Sequence, residues 1–225
     1  MDKARDIRQE VSMTPTHFAS LLASRLCHDL LSPVGAMSNG LELLADEHDP
    51  EMRAKCMDLL HESASATANK LKFFRLAFGA AGGYGDSVAS SEIRAAIDGM
   101  FIHNGRIELN WMVVPEVLPK PATKLLLNLA LIAGDALVRG GKLDVGAENA
   151  HGRIELALRA SGPRILLDPE IRATLAGQVS QEAVTPRSAP AWLAFVLAQS
   201  GDAGGIQISD PEADYLLFGA SLTKP

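Results

Sequence analysis

Cysteine is scarce: two residues in 225, Cys27 and Cys56. Each falls inside an expected helix, so no disulfide framework is expected and a reducing compartment fits. Spacings that would ligate a metal are missing as well. No apolar run approaches the roughly 18 to 20 residues of a membrane span, and Met1 to Val11 is charged rather than signal-like. A basic stripe is also lacking. With a net charge of -6 and a pI near 5.5, a nucleic-acid surface is not expected. Neither a repeat nor a low-complexity tract is present. A cytoplasmic protein with neither membrane nor nucleic acid as partner is the reading. What remains is an ordinary globular composition, 47% hydrophobic and 21% charged, in a chain long enough for one sizeable core or two modest ones.

Thr14-Pro15 offers a cap residue followed by proline at the first helical position. A first helix is expected from Pro15 to about Asp46, a turn at His48-Asp49-Pro50, and a second helix from Pro50 to Phe78. Each helical residue advances about 100°. Leu22, Leu26, Leu30, Val34, Met37, Leu41 and Leu44 then share one apolar sector of bundle type. Met52, Cys56, Leu59, Leu60, Leu71, Phe74 and Phe78 form the apolar side of the second helix. A lone hairpin cannot bury both stripes. A two-fold dimer closing a four-helix bundle can, so a homodimer is expected. The small run Ser63 to Ala68 either lets helices approach or is filler.

His28, in Leu26-Cys27-His28-Asp29-Leu30-Leu31-Ser32-Pro33, falls opposite the apolar sector, with Gly35 and Asn39 beside it and Ser32 nearby. A neutral, solvent-facing imidazole has a free ring nitrogen that can attack phosphorus. Most exposed histidines are only solvated surface, and His17, His48, His61, His103 and His151 are read so. Pro33 sets His28 apart, because inside a helix proline removes a backbone hydrogen bond, and such violations gather at functional sites.

The Gly-rich stretch from Gly79 to Gly85 marks a boundary. The expected division is a hairpin over 14–79 and a second domain over 87–225. The pattern of the second predicts helices over Ser91–His103, Pro121–Val138, Pro169–Ala176 and Pro190–Ser200. Strands are expected over Ile107–Val113, Lys142–Ala147, Ile154–Arg159, Ile206–Ser209 and Tyr215–Leu222. Helices beside a mixed, largely antiparallel sheet make an α/β sandwich, and the whole chain α+β.

His28-Asp29-Leu30 followed by Pro33 resembles the H-box of sensor histidine kinases, and residues 90 to 222 resemble their ATP-binding domain. The resemblance also exposes three losses. Asn128 keeps one N-box asparagine, but Ile132 stands where a second would hold magnesium, and an aliphatic side chain cannot ligate a hard cation. Ala160-Ser161-Gly162-Pro163-Arg164 matches Asp-x-Gly-x-Gly only at Gly162. Ser188 to Leu193, where a Gly-rich box would cover the phosphates, contains no glycine. An H-box hairpin joined to an erased nucleotide site, with Gly40-Leu41-Glu42-Leu43-Leu44 after the H-box, resembles the ChpT-type histidine phosphotransferases of alphaproteobacterial phosphorelays.

That resemblance implies a phosphoryl shuttle in cell-cycle control. His28 would accept phosphate from the receiver domain of a CckA-like hybrid histidine kinase and pass it to CtrA-like and CpdR-like response regulators. Asp29 would orient the imidazole or take its proton, with a merely solvated helix acid as the equal alternative. Ser32, Gly35 and Asn39 would meet the receiver. No cofactor is expected on this chain, the magnesium ion lying on the receiver. An ATP-dependent kinase conflicts with Ile132, Ala160 and Arg164. A non-catalytic dimeric scaffold conflicts with His28 and Pro33. Acid-labile labelling from a phospho-receiver but not from ATP would separate these.

Overall fold

The computed structural model describes residues 13–79, 85–101, 105–199, 205–210 and 214–223. The polar lead, most of the Gly-rich boundary, and the expected helix ends at His103 and Ser200 lie outside the described residues.

Helix α1 spans Pro15–Asp46 and α2 spans Pro50–Ala77. Thr14 caps α1 by accepting from the His17 amide, and Asp49 caps α2 by accepting from the Met52 amide, each followed by proline at the first helical position. At the other end of α1, Arg53 donates to the carbonyls of Leu44 and Glu47 at 3.1 and 2.7 Å, satisfying groups a helix end leaves open. The two helices pack as a hairpin. They come close at Gly40, the one buried residue of α1, where a Cβ would lie 3.0 Å from the Leu60 side chain. Of the small run Ser63 to Ala68, Ser63 is buried and Ser65, Ala66 and Thr67 are half-buried.

The remaining elements are β1 (Ser87–Ala89), α3 (Ser90–Phe101), β2 (Ile107–Val113), β3 (Val117–Pro119), α4 (Lys120–Ala136), β4 (Gly141–Ala150), β5 (Arg153–Ser161), α5 (Pro169–Leu175), α6 (Ala189–Gln199), β6 (Ile206–Ile208) and β7 (Tyr215–Thr223). The main sheet runs β2-β4-β5-β7-β6, parallel only between β2 and β4. The mixed, largely antiparallel sheet read from the sequence is therefore the one observed. A second sheet, β1 with β3, was not anticipated: each strand is three residues long, too short for a period-2 pattern.

Along β4, β5 and β7 one face alternates into the core through Leu143, Val145, Ile154, Leu156, Leu158, Leu216 and Phe218, the pattern of a sheet covered on one side. α4 lies against that face and is buried almost throughout. The core does not stop at the hairpin. Phe73, Phe74, Leu76 and Ala77 of α2 belong to the same cluster, and Phe73 meets Phe74 and Phe101 edge-on with centroids 5.8 and 6.1 Å apart. Full burial of each phenylalanine is worth about 1.5 to 3 kcal/mol, so the end of α2 is fixed against α3 and α4. The apolar side expected for α2 is covered only in part within this one chain. Cys56 and Phe74 are buried, while Met52, Leu59 and Leu71 keep 45, 41 and 47% of their surface exposed.

Candidate functional site

Pro33 sits inside α1 without interrupting it. Lacking an N–H, it cannot bond the carbonyl four residues earlier, which is that of Asp29. Lys70 of α2 takes over: its Nζ donates to the Asp29 carbonyl at 2.8 Å. The rule violation in the sequence is thus repaired by a cation from the facing helix, placed one residue from His28.

His28 projects into solvent with 83% of its side chain accessible. Its Nδ1 lies 3.0 Å from Asp29 Oδ1. The other oxygen of Asp29 accepts from Arg25 Nε at 2.8 Å, and Asp29 is only 13% accessible. The alternative of a freely solvated acid is therefore corrected, since Asp29 is held between Arg25 and the ring. A carboxylate only accepts, so in the tautomer that bonds Asp29 the Nδ1 carries the hydrogen and Nε2 keeps its lone pair.

Arg25 in turn reaches Asp135 at the end of α4, its Nη2 2.8 Å from Oδ2. Burial works to lower the Arg25 guanidinium, but Asp135 and Asp29 outweigh it and the net shift is upward. Desolvation pushes the Asp135 carboxyl up against the opposing pull of Arg25, although 47% of its side chain stays accessible. The hairpin and the α/β part are joined through this guanidinium. Beside it opens a cleft of about 600 Å³ lined by Ser24, Arg25, His28 and Asp29 of α1, by Asp135, and by Thr185, Pro186 and Arg187 before α6.

Further along the exposed face of α1, Ser32 lines a second cleft with Pro33, His61, Lys70 and Arg106. Gly35 is exposed, with no atom within 4 Å of a built Cβ, so nothing within the described chain accounts for it. Asn39 borders a shallow groove with Glu42 and Leu43. Of the five residues singled out in the sequence, His28, Ser32, Gly35 and Asn39 share the exposed face of α1, Asp29 lies about 100° round the helix, and His28 and Asp29 are brought within 3.0 Å. Arg25, Lys70, Asp135 and Arg187 were missed. Arg25 had a signal in its four-residue spacing from Asp29, and Lys70 in the carbonyl that Pro33 must free; Asp135 and Arg187 come from other elements and had none.

The chain is matched by the family model described as the histidine phosphotransferase C-terminal domain over residues 90–214. It is 32% identical over 211 residues, 93% of this chain and 98% of the relative, to the protein phosphotransferase ChpT of Brucella abortus (strain 2308). A solved structure described as a bacterial phosphotransferase superposes with a TM-score of 0.81 at 30% identity, covering 93% of this chain and 98% of that one.

This chain belongs to the ChpT-type histidine phosphotransferases.

In this phosphotransferase the positions that the sequence resemblance set against a kinase's ATP-binding motifs pack within the fold. Asn128 is fully buried, and its Nδ2 donates to the carbonyls of Ala77 and Lys124 at 3.2 and 2.8 Å, tying the end of α2 to α4. Ile132 and Ala160 lie in the core. Gly162 is kept for a different reason: a Cβ there would sit 2.5 Å from the Gly140 carbonyl. Residues 189–193 open α6 and form no glycine loop. Among the described residues no group of three or more His, Cys, Asp or Glu could hold a metal ion, and no helix is long and apolar enough to cross a membrane.

Proposed function

We propose that His28 is the phosphoryl acceptor of this phosphotransferase and that the chain is a relay intermediate rather than an autokinase. The single observation that carries the reading is the exposed imidazole whose Nδ1 faces the Arg25-anchored Asp29. In the accepting step the Nε2 lone pair forms an N–P bond while the acyl-phosphate P–O bond of a receiver aspartate breaks. The receiver carboxylate leaves with that electron pair. The ring becomes cationic, and Asp29 stabilises it through Nδ1–H. Charge in the loose transition state spreads over the equatorial oxygens, so positioning and electrostatics do most of the work. Delivery from His28 is the same step reversed.

The donor in this reading is the receiver domain of a CckA-like hybrid kinase, and the acceptors are CtrA-like and CpdR-like regulators in cell-cycle control. This part rests on the kinship with the ChpT-type proteins. Magnesium belongs to the receiver, and the buried Asn128 amide, Ile132 and Ala160 favour a protein that needs no nucleotide of its own. Ser32, Gly35 and Asn39 form the receiver-facing strip of α1. A homodimer closes the hairpin stripes, and the exposed Val34, Leu41, Met52 and Leu59 favour it.

The test is labelling by a purified phospho-receiver. Wild-type protein should acquire an acid-labile, alkali-stable phosphoryl group, and His28→Ala none, with an unchanged melting temperature because the ring packs against little. Labelling that persists in His28→Ala would overturn the site. Labelling of wild-type protein from ATP alone would revive the kinase reading.

A further inference from the structure

The cleft beside His28 is walled on its far side by Thr185-Pro186-Arg187. The backbone of this loop is pinned. The Thr185 amide donates to Ser188 Oγ at 3.0 Å, the Ser188 amide to Thr185 Oγ1 at 3.3 Å, and Thr185 Oγ1 to Glu170 Oε1 at 3.0 Å. Its one long cationic side chain is held differently. Arg187 is 68% accessible and pairs with Asp168 at 3.0 Å, and exposed pairs of this kind hold weakly. Asp168 does not depend on that partner, because it caps α5 by accepting from the Glu170 amide at 2.8 Å. Arg187 can leave without stranding a buried charge.

The other cations near His28 are committed. Arg25 spans Asp29 and Asp135, and Lys70 holds the Asp29 carbonyl. A phosphoryl group entering on Nε2 carries negative charge on three equatorial oxygens at the mouth of a cleft whose carboxylates, Asp29 and Asp135, are already engaged by Arg25. A planar guanidinium that can bond two oxygens at once suits that demand.

We propose that Arg187 is a catalytic residue of the transfer: it exchanges Asp168 for the equatorial oxygens of the phosphoryl group passing between the receiver aspartate and His28. Bonds break and form as in the step above, and Arg187 supplies charge without gaining or losing a proton. This gives the α/β part a role in the chemistry beyond packing, and it rests on the reading of His28 as acceptor.

The experiment compares full-length wild-type, Arg187→Ala and Arg187→Lys in single-turnover transfer from a phospho-receiver over a range of receiver concentrations. His28→Ala is run alongside. Arg187→Ala should slow transfer at saturating receiver by tenfold or more, with half-saturation and melting temperature unchanged, and Arg187→Lys should recover part of the loss. A wild-type maximal rate in Arg187→Ala overturns the proposal. So does a loss that vanishes at saturating receiver, which would make Arg187 a docking contact. If His28 dependence holds while Arg187→Ala is normal, only this proposal fails; if His28→Ala is still labelled, both fail.

Discussion

At the scale of single residues, the side of α1 on which His28 stands was legible because a 32-residue helix averages out local noise and places each position on a wheel. The state of the imidazole was not. It depends on Asp29 being anchored, and half of that anchor, the Arg25 to Asp135 contact, spans 110 positions. Gly35 is a second residue with a readable environment. It lies about 20° from His28 on the wheel, and nothing in the described chain comes within 4 Å of a built Cβ. Glycine inside a helix costs on the order of 1 kcal/mol against a good helix former. Gly35→Gln should therefore raise the melting temperature by a few degrees and, in the proposed docking geometry, slow transfer between His28 and a cognate receiver more than tenfold. Higher stability with a wild-type transfer rate would remove Gly35 from the receiver-facing strip.

At the scale of elements, the long helices and longer strands were readable from caps, prolines and periodicity, and their observed bounds fall within a few residues of the expected ones. What failed to show was pairing. The wheel puts Gly40 in line with Leu22 on the apolar side and Gly35 opposite, but it does not name the partner, which is Leu60 for Gly40 and open space for Gly35. The repair of α1 at Pro33 belongs to this scale. Lys70→Met should cost about 1 kcal/mol in denaturant unfolding, since it leaves the partly buried Asp29 carbonyl without its donor. Pro33→Ala restores an intrahelical donor, so the same Lys70→Met change made in that background should cost measurably less. Equal costs in the two backgrounds would show that Lys70 acts at this position by something other than replacing the missing amide.

At the scale of the whole molecule, the mixed α+β character was legible in the order of elements, but the core joining α2 to α3 and α4 was hidden. Phe73 and Leu76 lie off the side of α2 read as apolar, and both belong to the core that α3 and α4 share. The other end of the hairpin keeps large apolar side chains in solvent, with Leu41 59% and Met57 54% exposed, more than a monomer of this size would be expected to show along one face. Full-length protein should sediment as a dimer at micromolar concentration, and Leu41→Glu should shift it to monomer without unfolding the α/β part. A wild-type monomer would remove the four-helix bundle.

The Arg25 bridge carries one more implication. A single guanidinium both steadies the acid that sets the imidazole's tautomer and fastens α1 to α4, so the two tasks draw on one set of hydrogen bonds and are thermodynamically linked. Such linkage is reciprocal. If holding the halves together favours the tautomer that bonds Asp29, then in the proposed transfer a change of charge at residue 28 is felt at the joint as well.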